Sequence, residues 1–285
     1  MSRLPPSEAL VSTAWLANHL TAPDLRLVDA TWHFPATGRR GREDYDAGHI
    51  PGAVFFDIDD IKDETQSLPH MAPSPEKFAS RMRRLGIGNG NRVVVYDRAG
   101  GASAAARVWW SFRLFGHEEV SLLDGGLNKW LAEGRPIEDL PPMPRNRHFI
   151  ARVNHTLLRD KAQILANLDQ KRELVLDARS AGRFRGEEPE PWPHRKVGHI
   201  PGSRNLPWTE LLDPQSKTFL APDQLRAKFA AAGLDERPVV TSCGSGVTAC
   251  VLALGLHLIG REDVAVYDGS WAEWGLADDT PAEQG

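Results

Sequence analysis

Short runs of β-branched and other apolar residues alternate along this chain with longer stretches whose apolar positions recur at helical spacing. Arg92 to Asp97 reads as a buried strand, and Ala102 to Phe115 as the helix that follows it. The alternation returns with Pro238 to Cys243, then Val247 to Ile259, then Val264 to Asp268. Strands separated by helices are the pattern of βαβ units, in which parallel strands are joined by crossover helices and buried on both faces. Pro75 after Ser74 and Pro222 after Ala221 predict two equivalent helix starts, because proline's fixed φ and missing N–H suit the first helical position. The predicted class is α/β, with mostly parallel sheets covered by helices.

The pattern also repeats on a larger scale. Gly48-His49-Ile50-Pro51-Gly52 recurs as Gly198-His199-Ile200-Pro201-Gly202. In the same order Val28-Asp29-Ala30 pairs with Leu176-Asp177-Ala178, Leu123-Asp124-Gly125-Gly126 with Tyr267-Asp268-Gly269-Ser270, and Trp130 with Trp274. Offsets of 144 to 150 residues mark a duplicated domain rather than a solenoid. Pro141-Pro142-Met143-Pro144 discourages helix and central strand. The expected domains are therefore 1–140 and 154–285, joined by a linker over 141–153.

Composition narrows the function. The chain has 285 residues, enough for two cores, and its formal net charge of −4 gives no reason to expect nucleic acid or an anionic membrane as partner. No apolar stretch approaches the roughly 18 residues of a membrane span and the first twenty lack the core of a secretory leader, so a cytoplasmic location is expected. Cys243 and Cys250 are the two cysteines, too few for a disulfide framework or a four-thiolate zinc site.

Cys243 ends a predicted strand, and Cys243-Gly244-Ser245-Gly246-Val247-Thr248 must turn from it into the next helix. Ligands bind at this end of parallel sheets. Two glycines let successive N–H groups converge, and the helix start adds partial positive charge, so the loop favours an anion and the nucleophilic form of the thiol. Cys250, on the helix among Ala249, Val251 and Leu252, reads as a packing residue. In the first half Asp97 stands where the nucleophile would be, so that half is expected to be inactive. Position 249 is alanine, whereas a cysteine phosphatase needs arginine six residues after its nucleophile.

The Cys243 to Thr248 loop and the duplicated Gly-His-Ile-Pro-Gly, with Arg107-Val108-Trp109-Trp110, Leu122 to Gly126, Arg183-Phe184, Glu188-Pro189-Glu190-Pro191 and Tyr267 to Trp271, resemble the two-domain rhodanese superfamily. Within it they resemble the 3-mercaptopyruvate sulfurtransferases, over nearly the whole chain. The resemblance implies two tandem rhodanese-like domains and sulfur transfer from 3-mercaptopyruvate through a Cys243 persulfide to cyanide or thiols, with pyruvate released. A thioredoxin-like protein is a further implied acceptor, and no metal or organic cofactor is implied. Thiosulfate:cyanide sulfur transfer is the alternative, and a non-catalytic rhodanese-like binding protein a remote one. Gly244, Gly246, Val247 and Thr248 are implied to cradle the substrate and Arg183 to bind its carboxylate. Thiosulfate enzymes typically carry Arg or Lys after the cysteine, where this chain has Gly244 and Ser245. A second family arginine after Glu-Pro-Glu-Pro is Trp192 here, with Arg195 three residues on as a candidate replacement. The resemblance also gives Ser245 a proton-relay role with a histidine matching His49. The duplicate His199 argues instead that His49 is a structural part of its turn.

Overall fold

The apolar runs become the strands of two parallel sheets in a computed structural model that describes residues 8–98, 103–194 and 196–285. The first half runs β1 (Leu10–Val11), α1 (Thr13–His19), β2 (Leu25–Asp29), α2 (Gly41–Ala47), β3 (Ala53–Phe55), α3 (Pro75–Arg84), β4 (Arg92–Tyr96), α4 (Ser103–Leu114), β5 (Val120–Leu123) and α5 (Gly126–Ala132). The second runs β6 (Leu158–Arg159), α6 (Lys161–Gln170), β7 (Leu174–Asp177), α7 (Ala181–Arg185), β8 (Arg204–Asn205), α8 (Pro222–Ala231), β9 (Val239–Ser242), α9 (Ala249–Leu258), β10 (Val264–Tyr267) and α10 (Ser270–Trp274). The sheets have the same order, β1-β5-β4-β2-β3 and β6-β10-β9-β7-β8. Every pairing in them is parallel.

Local chemistry explains the helix starts. Ser74 caps α3 by accepting the Lys77 N–H, and Pro75 and Pro222 open α3 and α8. Helix α9 begins at Ala249, two residues later than its periodicity predicts, because Gly246 at φ +75° keeps the chain in a turn.

Each unit buries its own core. Leu16, Leu27, Val94, Leu127 and Trp130 pack together in the first, and Ile164, Val175, Val240, Tyr267 and Trp274 in the second. Each such side chain contributes about 1.5–3 kcal/mol on burial. The repeated motif is a fastener in both. His49 Nδ1 donates to the Tyr45 carbonyl (2.8 Å) and stacks on the Tyr45 ring at 3.9 Å. His199 Nδ1 donates to the Phe184 carbonyl (2.9 Å) and stacks on Phe184 at 3.8 Å. Trp130 and Trp274 are likewise matched, each donating its indole N–H to the carbonyl of a proline, Pro136 or Pro281.

The compact units are not simple halves. The first comprises residues up to Lys62, Ala72–Asn154 and Asp213–Phe219; the second comprises Asp63–Met71, His155–Leu212 and Leu220–Gly285. Each therefore contains one short segment of the opposite half. The two segments are duplicates: His70 and Lys217, both at φ +57°, lie 147 residues apart, as do Pro75 and Pro222. Among the described residues no helix is long and apolar enough to cross a membrane.

Candidate active site

Strand β9 lies between β10 and β7, and all four of its residues are buried. Its register pairs Ser242 with Asp177, whereas in the first unit Tyr96 pairs with Asp29. Cys243 and Asp97 thus occupy equivalent positions one residue past the strand. Their carbonyls make the same bond, accepting N–H groups of Trp271 and Leu127 at 3.0 Å each. The side chains differ in use. Asp97 is buried and its Oδ2 accepts the Ala105 N–H (2.9 Å) in the first turn of α4, satisfying a donor that a helix start otherwise leaves open.

The Cys243 backbone is held by the turn before α10. Its N–H donates to Ser270 Oγ (3.1 Å), and that hydroxyl donates to the Tyr267 carbonyl (2.8 Å). Ser270 sits at φ +49°, where the first unit has Gly126 at φ +58°. A left-handed serine costs about 1 kcal/mol, which its two hydrogen bonds offset.

The loop beyond Cys243 is built around open donors. Among the described residues, the N–H groups of Gly244, Ser245, Val247 and Thr248 donate to no protein group, although Gly244, Ser245 and Val247 are buried. Buried amides without acceptors are rare and costly, and successive ones in a curled loop are a concavity for an anion. Cys243 lies at this loop with 1% exposure. Cys250 is fully buried in α9, its thiol 3.3 Å from the Gly246 carbonyl, and so packs and fastens the loop from beneath.

Arg183, on α7, reaches the loop from the neighbouring strand connection. Its Nη2 lies 2.7 Å from where a Cβ on Gly244 would sit, so any larger residue at 244 displaces the guanidinium. The arginine is clamped by Glu190, whose carboxylate accepts from Nε (3.2 Å) and Nη2. Glu190 also accepts from Arg179 Nη1 (2.6 Å), and Arg179 in turn binds Asp177 (2.6 Å) and the Gly198 carbonyl (2.8 Å) and stacks over Trp271 at 4.5 Å. Burial disfavours the Arg179 charge, but the Asp177 and Glu190 carboxylates outweigh it and hold its pKa above the ordinary value. The four groups form a chain of alternating charge that sums to zero. A guanidinium has five N–H donors; Glu190 takes the Nε–Nη2 side of Arg183, and the Nη1–Nη2 end remains for a ligand. The carboxylate geometry expected of Arg183 is therefore end-on.

The histidine beside the nucleophile loop is one that sequence reasoning missed. His70 is buried, its Nδ1 lies 3.2 Å from Ser245 Oγ, and both belong to the second compact unit. His49 is instead locked in the turn of the first unit. Trp192 is half-buried; its ring stands roughly perpendicular to that of His70 (centroids 5.7 Å apart, 83°), and its Cδ1 is 3.7 Å from the Cβ position of Gly244. Arg195 lies outside the described residues. The structure thus brings Cys243, Gly244, Ser245, Arg183, His70 and Trp192 together.

Known proteins share this sequence and this fold. The model of the rhodanese-like domain matches twice, at residues 12–133 and 160–277. The human 3-mercaptopyruvate sulfurtransferase is 45% identical over 272 residues, covering 93% of this chain and 91% of that one. The bovine (Bos taurus) thiosulfate sulfurtransferase is 44% identical over 273 residues, with the same coverage. The crystal structure of SseA from Escherichia coli, a 3-mercaptopyruvate sulfotransferase, superposes with a TM-score of 0.85 at 38% identity, over 92% of this chain and 98% of that one. With two matched domains spanning most of its length, the chain belongs to the rhodanese-like family.

Proposed function

We infer that the chain is a 3-mercaptopyruvate sulfurtransferase working through a persulfide on Cys243, with the second unit catalytic and the first, carrying Asp97, inactive. The observation that supports this reading best is the neutral Cys243-Gly244-Ser245 loop with the Nη1–Nη2 end of Arg183 set beside it. One guanidinium end matches the one carboxylate of a keto acid. Thiosulfate, named for relatives of nearly equal identity, is a dianion that the uncharged loop serves less well.

The steps follow from the site. The Cys243 thiolate attacks the donor's sulfur; the new S–S bond forms as the C–S bond breaks, and the electron pair leaves on pyruvate as its enolate. The donor's thiol proton passes by way of Ser245 and His70 to the enolate carbon, leaving a persulfide anion and pyruvate. The loop amides of Gly244 to Thr248 hold the persulfide charge. Cyanide then takes the outer sulfur as thiocyanate and restores the thiolate; a small thiol or a thioredoxin-like protein takes it as a new persulfide. The proposed setting is the cytoplasm, in keeping with two unpaired cysteines; fractionation of producing cells tests it.

The experiment that tests the substrate is sulfur transfer to cyanide, comparing kcat/KM for 3-mercaptopyruvate and thiosulfate on the native protein and on Arg183→Ala. A preference for mercaptopyruvate that falls at least tenfold in the variant is expected. A preference for thiosulfate overturns the donor assignment.

A further inference from the structure

The wall facing the nucleophile loop is unusual in composition. On one side of Gly244 it presents the Arg183 guanidinium at 2.7 Å and the Trp192 indole at 3.7 Å from the same point. The His70 ring stands roughly perpendicular to the indole and continues the surface toward Ser245. This wall therefore sets a cation beside aromatic carbon.

The charge it offers is limited. Arg179 is committed to Asp177, Glu190 and the Gly198 carbonyl, and one side of Arg183 is committed to Glu190. Among the described residues, these contacts leave a single guanidinium end for a ligand. Beside it the indole offers a large apolar area and no positive charge, which gives a second anionic group nothing to pair with and favours a flat carbon group. The loop amides serve either kind of donor; beyond them a dianion exchanges hydration for one cation and a ring, whereas a monoanion with an organic substituent places its charge on Arg183 and its carbon on Trp192.

We propose that Trp192 is a specificity-determining residue that makes the site selective for organic sulfur donors bearing one anionic group, and against inorganic dianions. The selected class extends beyond β-mercapto keto acids to organic thiosulfonates, including those with an aryl group. With a thiosulfonate, the Cys243 thiolate attacks the terminal sulfur, the bond from that sulfur to the sulfonyl sulfur breaks, and its electron pair leaves on the sulfinate. With thiosulfate the same bond breaks and sulfite leaves. The two donors transfer the same sulfur and differ only in exchanging an anionic oxygen for an organic group, which isolates the contribution of the wall. The proposal rests on the persulfide chemistry of Cys243, but not on which donor is physiological.

The test is the ratio of kcat/KM for benzenethiosulfonate to that for thiosulfate, with cyanide as acceptor, in the native protein and in Trp192→Arg, Trp192→Phe and Trp192→Ala. Sulfur loaded on Cys243 is measured for each by cyanolysis. Trp192→Arg is expected to lower the ratio at least tenfold, mainly by raising kcat/KM for thiosulfate. Trp192→Phe should keep the ratio within about threefold, because it keeps an aromatic ring, and Trp192→Ala should fall between. Intact loading with a ratio unchanged in both Trp192→Arg and Trp192→Ala overturns the role of Trp192 alone. Failure of every donor to load Cys243 in the native protein overturns the persulfide chemistry and this proposal with it.

Discussion

Past its central strand the first unit carries Asp97 and Arg98, where the second carries Cys243 and Gly244. Both units must hold the carbonyl before the repeated histidine. In the first, Arg98 does so from the loop itself, its Nη2 2.7 Å from the Gly48 carbonyl. In the second, Arg179 does so from the end of the neighbouring strand, 2.8 Å from the Gly198 carbonyl. The first unit has Thr31 at that strand end, its N–H on Asp29 as that of Arg179 is on Asp177. Moving the guanidinium off the loop lets position 244 be glycine, which is what admits Arg183. The Asp97 carboxylate meanwhile supplies an anion to the helix start of the first unit, whereas the matching loop of the second unit has, among the described residues, buried amides without a protein acceptor. One fold thus becomes a filled scaffold or an open site according to where two charges are anchored.

Exchanging the side chains at positions 243 and 97 has the largest expected effect. Cys243→Ser should reduce thiocyanate formation to the uncatalysed rate, and adding Asp97→Cys to it should restore no cyanolysable sulfur, measured by intact mass. Sulfur loaded at position 97 would show the first unit to be a latent site.

Next in size is the Glu190 clamp of the second unit. Glu190→Ala leaves the buried Arg179 without one of its two carboxylates, and about 3–5 kcal/mol of stability should be lost, with a rise in KM for anionic donors as Arg183 comes free. Calorimetry checks the first and steady-state kinetics the second. A Tm shift below two degrees would mean that the charge chain does not position Arg183.

The histidines sharpen it further. His70→Asn should lower kcat on the order of a hundredfold with little change in Tm. His49→Asn should cost about 1–3 kcal/mol of stability and leave kcat within twofold. The reverse pattern would return the relay to His49.

The smallest effect on activity concerns Asp124, whose carboxyl burial pushes up to about 6 against the pull of the Phe219 N–H and Lys129. A raised folded-state pKa means stability that is full below the unfolded value near 3.8 and declines as pH rises through about 6. Asp124→Asn keeps an acceptor for Phe219 and should flatten Tm between pH 4 and 6, gaining no more than about 3 kcal/mol at pH 7.

What could be read without coordinates was what is local. The Cys243 loop declares itself because strand, cysteine and two glycines are contiguous, and the two GHIPG copies expose the duplication. Glu190 was visible as part of a motif, but nothing in the chain says which arginines a carboxylate will bridge. Arg183 was identifiable only by resemblance. His70 escaped because it lies outside every obvious repeated motif and 175 residues from its partner Ser245. Its one trace is the spacing it shares with Pro75: 147 residues on stand Lys217 and Pro222. Both crossing residues adopt the same left-handed backbone, which a side-chain pattern does not reveal.

The exchange of segments also bears on how the enzyme is made. Asp63–Met71 leaves the ribosome before any of His155–Leu212, the body it joins, exists. At about 5–20 residues per second, the segment waits several seconds or longer for its seat to be synthesised. Nascent chains halted after the first half would therefore display His70 without a home, and a gene split at the duplication boundary would yield a second product that carries the thiol but lacks its histidine.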